Sequence, residues 1–442
     1  MYLVYSLLLG FGFVIMLPRL LLDAWRHGKY VAGLGERMGK LKSCSRARPV
    51  IWLHCVSVGE VQAARPLFQT LRREFPEHSI AVSTTTITGQ QLAREVFQSE
   101  AITVFYFPID WRWTVRRSLK SIRPDLVLIM ETELWPNFLS ECRAQEIATA
   151  IVNGRLSERS FKRYRLIRPF IGRVLSCLNL AAMQTESDAQ RLRALGMPAE
   201  RVTVTGNMKF DAGTPDATNP LTKRLSERFH FSDGRPVLLA ASTHEPEERI
   251  VLETFNRLRE NADLQSLRLI VAPRHPERFA AVTALLQESK LTWARRSAPP
   301  TLSDELAEVV LMDSIGELRS LFPIASLVFV GGSFAPVGGH NVLEPAAAGA
   351  CIVTGPHTQN FDEIVRKFLA DGALIQILAP VKGEAASLLA DVCATLLRNP
   401  DKRLLLENRA LALVRENRGA TARTVGLLQK FLAPAVSRVE ES

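Results

Sequence analysis

Twice along this chain, short apolar runs alternate with stretches patterned as amphipathic helices, and a polar segment separates the two series. The first series comprises PVIWLHCV (49–56), SIAVSTTT (79–86), ITVFYFP (102–108), DLVLIMET (125–132), IATAIVN (147–153), LNLAAMQT (178–185) and RVTVTG (201–206). The second comprises PVLLAAS (236–242), RLIVAP (268–273), EVVLMD (308–313), ASLVFVGG (325–332), ACIVTG (350–355) and ALIQIL (373–378). Near-continuous apolar strands between amphipathic helices such as VQAARPLFQTLRREF (61–75) mark parallel sheets covered on both faces. DAGTPDATNP (211–220) reads as a linker, and residues 384–433 as helix. The expected fold class is α/β, with two Rossmann-like domains facing a central cleft at the C-terminal ends of their sheets.

Residues of unusual chemistry gather just after these runs. Glu60 follows the first, in HCVSVGE; Glu131 and Glu133 follow the fourth, in METELWPN; NGRLSERS follows the fifth; Lys209, in GNMKFD, follows the last. Glu60 alone has a plain structural reading, because an acid in the first turn of a helix suits the dipole. In the second series, Pro273 and Arg274 lie in APRHPER, Ile315, Gly316 and Glu317 in SIGEL, and Asn341, Val342, Leu343 and Glu344 in GGSFAPVGGHNVLEPAAAGA. Glycines admit close approach of backbone to a ligand, and a following helix offers N–H groups to a phosphate. Glu344 suits a ribose diol and Arg274 a phosphate; a helix-start acid and a surface turn are the plain alternatives.

Neither GxxxxGK(S/T) nor GxGxxG occurs, which argues against a P-loop NTPase and against a nicotinamide or flavin enzyme. An acid-bearing first half and a phosphate- and ribose-suited second half suggest transfer from an activated donor to a hydroxyl, with Glu60 as general base. No DxD-like pair stands at a strand end to hold a divalent ion, so no metal or other cofactor is expected. His54, His244, His275, His340 and His357 lack helical i, i+4 spacing and read as hydrogen-bonding groups, not ligands.

Charge and the first residues point to a surface. Lys and Arg number 55 against 45 Asp and Glu, a balance that favours anionic partners. Residues 2–17 carry no charge, and from Arg19 to Arg48 eight Lys or Arg stand against Asp23 and Glu36. A membrane-anchor helix over 1–22 with the body on the cytoplasmic side fits this order; a helix lying in the interface on anionic headgroups fits it too. The basic run KRYRLIRPFIGR (162–173) is either an ordinary solvated helix face or a holder of phosphates and headgroups. Six scattered cysteines without a CxxC pair indicate reduced thiols.

Taken together, GERMG (35–39), HCVSVGE, METELWPN, NGRLSERS, TGNMKFD, STHEPEE, APRHPER and GGSFAPVGGHNVLEP resemble the 3-deoxy-D-manno-octulosonic acid (Kdo) transferases of lipopolysaccharide synthesis, glycosyltransferase family 30. The resemblance runs from the N-terminus to at least residue 365. It implies a GT-B fold, CMP-Kdo as donor, and as acceptor a tetraacyl bisphosphorylated glucosamine disaccharide (a lipid A precursor) at the inner face of the inner membrane. It implies Glu60 as catalytic base, Glu131 and Lys209 as transition-state stabilisers, and Pro273, Arg274, Ile315–Glu317 and Asn341–Glu344 as CMP-binding segments. The β-linked donor and α-linked product of the family imply a single inverting displacement by the acceptor's 6′-hydroxyl. The corresponding domains are an acceptor domain (23–210), a linker (211–235), a donor domain (236–425) and a terminal helix and tail (426–442). No nucleic acid partner is expected.

Three rival readings remain at this stage. A GT-B enzyme using a nucleoside diphosphate sugar would share the fold but not the METELWPN and HCVSVGE pair. A nucleotide-sugar epimerase fits the N-terminal apolar segment poorly. A non-catalytic membrane-surface protein has no need of Glu60.

Overall fold

All thirteen apolar runs expected as strands pair in parallel with a neighbour in the computed structural model, which describes residues 2, 4–7, 9–12, 15, 33–42, 48–211, 219–378, 381 and 383–432. The chain forms two compact units, Met1–Ala212 with Asn417–Ser442, and Gly213–Glu416.

In the first unit the strands are β1 (Val50–Cys55), β2 (Ser79–Thr84), β3 (Thr103–Tyr106), β4 (Leu126–Met130), β5 (Ala148–Gly154), β6 (Leu180–Met183) and β7 (Val202–Val204), in the order 3-2-1-4-5-6-7. β1 pairs with β2 on one side and β4 on the other, so the strand order reverses between β1 and β4. Both faces are covered, which is why every residue of β1 and β4 is buried and why these runs read as unbroken apolar stretches. One face packs Trp52 against Phe105, Phe107 and Phe138. Replacing so large a buried ring by Ala costs about 3–5 kcal/mol. The other face buries Leu53, Leu67, Phe68 and Val82 together with Ala420, Val425, Leu428 and Leu432 of the last helix, Ala420–Leu432.

In the second unit the strands are β8 (Val237–Thr243), β9 (Arg268–Pro273), β10 (Trp293–Arg295), β11 (Val309–Leu311), β12 (Leu327–Val330), β13 (Ile352–Thr354) and β14 (Ile375–Gln376), in the order 10-11-9-8-12-13-14. The reversal here lies between β8 and β12. β10 has no counterpart among the expected strands. It is a three-residue edge strand that starts on a half-buried Trp293 and ends on Arg295, with no apolar run to announce it.

Of the anchor expected over residues 1–22, the described residues are helical and the remainder lies outside the described set. Among the described residues no helix is long and apolar enough to cross a membrane. Tyr2 packs edge-on to Phe170, Tyr5 donates to Asp110 at 3.0 Å, and Ser6 bonds Asn137, so this helical segment rests on the first unit. Cys55, Cys142, Cys177, Cys351 and Cys393 are free and buried; Cys44 lies outside the described residues.

Candidate active site

The residues singled out in the first unit stand where its strand order reverses. In such sheets the crevice at that reversal, outside the carboxyl ends of the strands, is where ligands bind. Val56-Ser57 follow β1, and Ser57 opens the helix Val58–Glu74. Glu60 sits in the first turn of that helix and folds back on its own N-terminus. Its carboxyl accepts the Val56 N–H at 2.8 Å and the Ser57 hydroxyl at 3.0 Å.

Glu60 is 5% exposed. Burial pushes its pKa up to about 8, Glu131 and Glu133 push the same way, and the bonds from Val56 and Ser57 only partly offset this. Glu133 is itself raised, by burial and by Glu131. The preceding His54 is fully buried between Ser83 and the Phe107 ring and is driven down to about 3, so it serves as a neutral packing group.

Glu131 follows β4 in left-handed backbone (φ 54°) and donates its N–H to Val152 at 3.0 Å. Such a conformation costs a non-glycine residue of order 1–3 kcal/mol. Lys209 Nζ lies 4.0 Å from Glu131 Oε1. Lys209 belongs to a short 3-10 turn, Met208–Asp211, fastened at both ends. The Asn153 side chain accepts the Met208 N–H at 2.9 Å, and Asp211 accepts the N–H groups of Gly419 and Thr421 at 2.7 and 2.6 Å. Asn153 was not singled out from sequence. It too is left-handed (φ 54°) and sits where the β5–β6 register shifts, a feature visible only in the backbone.

In the second unit the expected nucleotide segments follow β9, β11 and β12, with β8 between β9 and β12. Pro273 ends β9, and the next residue, Arg274, is exposed and donates its N–H to Thr243 at 3.0 Å. After β11, Ile315 is 78% exposed and Gly316 turns left-handed (φ 83°) with open space beyond it. Glu317, by contrast, is committed: Arg296 grips both its oxygens at 2.9 Å and Ser314 donates at 2.6 Å. After β12, the Asn341 side chain accepts the Leu343 N–H at 3.0 Å, just before the short helix Leu343–Ala347. Val342 and Leu343 are buried. Glu344 bonds Arg319 at 2.8 Å and Asn341 at 3.3 Å, and any ribose must share it with Arg319.

Of the histidines expected as hydrogen-bonding groups, His54 bonds Ser83, and His244 and His340 bond each other. His244 and His340 face each other Nε2 to Nε2 at 2.8 Å, and His275 packs edge-on to His244. Burial lowers both members of the pair, His340 to about 3, so the bond joins two neutral rings. Among the described residues no group of three or more His, Cys, Asp or Glu is arranged to hold a metal.

The profile of the family described as "3-Deoxy-D-manno-octulosonic-acid transferase (kdotransferase)" matches residues 32–212. The chain is 36% identical to the 3-deoxy-D-manno-octulosonic acid transferase of Haemophilus influenzae over 91% of its own length and 92% of that protein's. It is 34% identical to the protein of the same name from Bordetella pertussis, over 94% and 96% of the two chains. Among solved structures, the UDP-GlcNAc 2-epimerase of Neisseria meningitidis bound to UDP-GlcNAc superposes with a TM-score of 0.55 at 14% identity, over 86% of this chain and 100% of that one. That likeness bears on the fold, two parallel-sheet α/β domains of the GT-B class. The two transferases bear on the activity: the chain belongs to the 3-deoxy-D-manno-octulosonic acid transferases, and is a glycosyltransferase.

Proposed function

We propose that this chain moves Kdo from CMP-Kdo to the 6′-hydroxyl of a lipid A precursor in one inverting displacement, with Glu60 as base. The observation that carries the reading is the Glu60 carboxyl, buried at the reversal of strand order and pushed up to about 8. A base of that strength takes a proton from an alcohol better than an ordinary carboxylate, and part of it is ionised near neutral pH. As the acceptor oxygen bonds to the anomeric carbon of Kdo, its proton passes to Glu60. The bond from that carbon to the phosphate breaks, and CMP leaves with the electron pair.

Lys209, fixed beside Glu131, offers a cation to the sugar carboxylate next to the reacting carbon. In the second unit the exposed Arg274, the open turn at Gly316 and the partly exposed Asn341 and Glu344 suit a cytidine monophosphate. A monophosphate leaving group can be stabilised by a guanidinium and N–H groups, so the reaction as proposed uses no metal.

A lipid acceptor calls for a membrane surface, and the N-terminal segment supplies one. Val4, Leu7, Phe11 and Ile15 are 57–66% exposed at helical spacing, on the side of the segment away from Tyr2 and Tyr5. Exposed Trp113, Leu166 and Ile167 and the half-exposed Arg112 and Arg116 lie on elements this segment touches or their neighbours. We propose that this face rests on the inner membrane, with the catalytic units on its cytoplasmic side.

The test is incubation of the full chain with labelled CMP-Kdo and the tetraacyl lipid A precursor, followed by the product's mass. A gain of one or more Kdo units is expected. Transfer from a nucleoside diphosphate sugar instead, with CMP-Kdo inert, would replace this reading by that of a different GT-B transferase.

A further inference from the structure

The glycine-rich segment after β12 has the look of a phosphate cradle, but its N–H groups turn inward. Glu247, the first residue of the helix Glu247–Arg259, is 0% exposed. Its Oε2 accepts the N–H groups of His244 at 2.9 Å and Gly332 at 2.7 Å. Its Oε1 accepts those of Ser333, Phe334 and Ala335 at 2.9, 2.8 and 3.3 Å. Consecutive N–H groups converging in this way form the concavity that elsewhere binds an anion. Here a side chain of the same unit fills it from below.

The surrounding residues are shaped to this contact. A Cβ on Gly331 would stand 2.6 Å from the Ser242 carbonyl oxygen and 2.8 Å from Glu247 Oε2, so only glycine lets the two strand ends approach. Gly332 is left-handed (φ 67°), and its carbonyl accepts the Gly339 N–H at 2.7 Å, closing the segment on itself. At the far end, the 2.8 Å bond between His340 and His244 ties the segment to the same turn that carries Glu247. The turn after β8 therefore grips the segment after β12 at both ends, across the reversal of strand order. Asn341–Glu344 follow directly.

We propose that Glu247 is the positioning residue of the donor half of the site. It holds the glycine-rich segment so that Asn341–Glu344 meet the nucleotide, and it takes the N–H groups of 332–335 out of contention for the donor phosphate. This rests on the reading of the second unit as the CMP-Kdo site. Glutamine has a single acceptor oxygen, so in Glu247→Gln the amide NH2 faces at least two N–H donors whichever way it is turned.

The experiment compares the full-length Glu247→Gln variant with the native protein by calorimetric titration with CMP and by steady-state transfer. The expected result is a folded variant with a lowered melting temperature, a CMP Kd and donor KM raised at least about tenfold, and a kcat and acceptor KM within about twofold of native. A folded variant that binds CMP as the native protein does overturns the proposal, as does a fall in kcat with donor KM unchanged. Should the variant not fold, amide hydrogen exchange on the native protein decides. Slow exchange across 332–335 sustains the proposal and exchange within seconds overturns it. Native protein that fails to bind CMP removes the reading of the site itself, and this inference with it.

Discussion

Lys209 pairs with Glu131 at 4.0 Å, and no cation figures among the groups that shift Glu60, whose charged neighbours are Glu131 and Glu133. The division separates two roles that a salt bridge on Glu60 would merge. The carboxyl expected to take a proton is kept basic, and the contact with Lys209 falls to its neighbour Glu131.

Glu60→Ala is expected to bind CMP with native affinity and to lose transfer by a factor of at least about 10². Calorimetric titration alongside a transfer assay checks both halves. Near-native turnover would remove Glu60 from the mechanism.

The pH dependence follows from the same shift. Glu60 must be ionised to act, and its pKa in the folded protein is raised to about 8, so kcat/KM is expected to climb from pH 6 and level off above pH 8 to 9. Glu131 is one of the groups that raise it, so Glu131→Gln should move the inflection to lower pH, whatever it does to the maximal rate. An inflection that stays in place would mean that the two carboxyls do not sense each other.

Stability should show the opposite sign. A carboxyl raised on folding penalises the ionised folded state, so the native protein loses stability from about pH 4.5 up to about pH 8. Glu60→Gln carries no such charge. It should melt higher than native protein at pH 8, by the equivalent of a few kcal/mol at most, and the gap should close toward pH 4.5.

Lys209→Ala is expected to abolish most transfer with little change in melting temperature. The Lys209–Glu131 pair is partly exposed and at the limit of contact, a class of pair worth about 0–1 kcal/mol. A variant that fails to fold would assign Lys209 to structure.

Asn153→Ala removes the acceptor of the Met208 N–H and puts a residue less tolerant of left-handed backbone at φ 54°. Urea denaturation should show a loss of about 1–3 kcal/mol, and kcat should fall because the turn carrying Lys209 is released. Asn153→Gly keeps the backbone and should restore part of the stability but not the rate.

For the membrane surface, Leu7→Asp with Phe11→Asp should lower co-sedimentation with vesicles of anionic phospholipid at least about tenfold. Transfer to a detergent-dispersed acceptor should be unchanged. Equal sedimentation of variant and native protein would show that this face does not touch lipid.

The strands were legible because a sheet buried on both faces leaves a run such as LVLIM with no polar alternative. Short edge strands such as β10 carry no such mark. The positions of Glu60, Glu131 and Lys209 were legible as strand-end residues, whereas Asn153 acts through a backbone angle that no residue pattern reports. Glu247 was hidden for a different reason. In STHEPEE it looks like any acid at a helix start, and four of its five N–H partners lie at 332–335, more than 80 residues away. Glu317 and Glu344 show the reverse limit, since their ion pairs with Arg296 and Arg319 appear only once the strand ends are side by side.

The last helix, Ala420–Leu432, belongs to the core of the unit whose other elements end near residue 212. On the ribosome, that unit must therefore wait, one apolar face bare, until some two hundred further residues have been translated and the closing segment has left the exit tunnel. A nonsense codon near residue 417 would spare every residue named in the chemistry, yet leave Met208 and its neighbours without their lid and the nascent product open to aggregation or proteolysis.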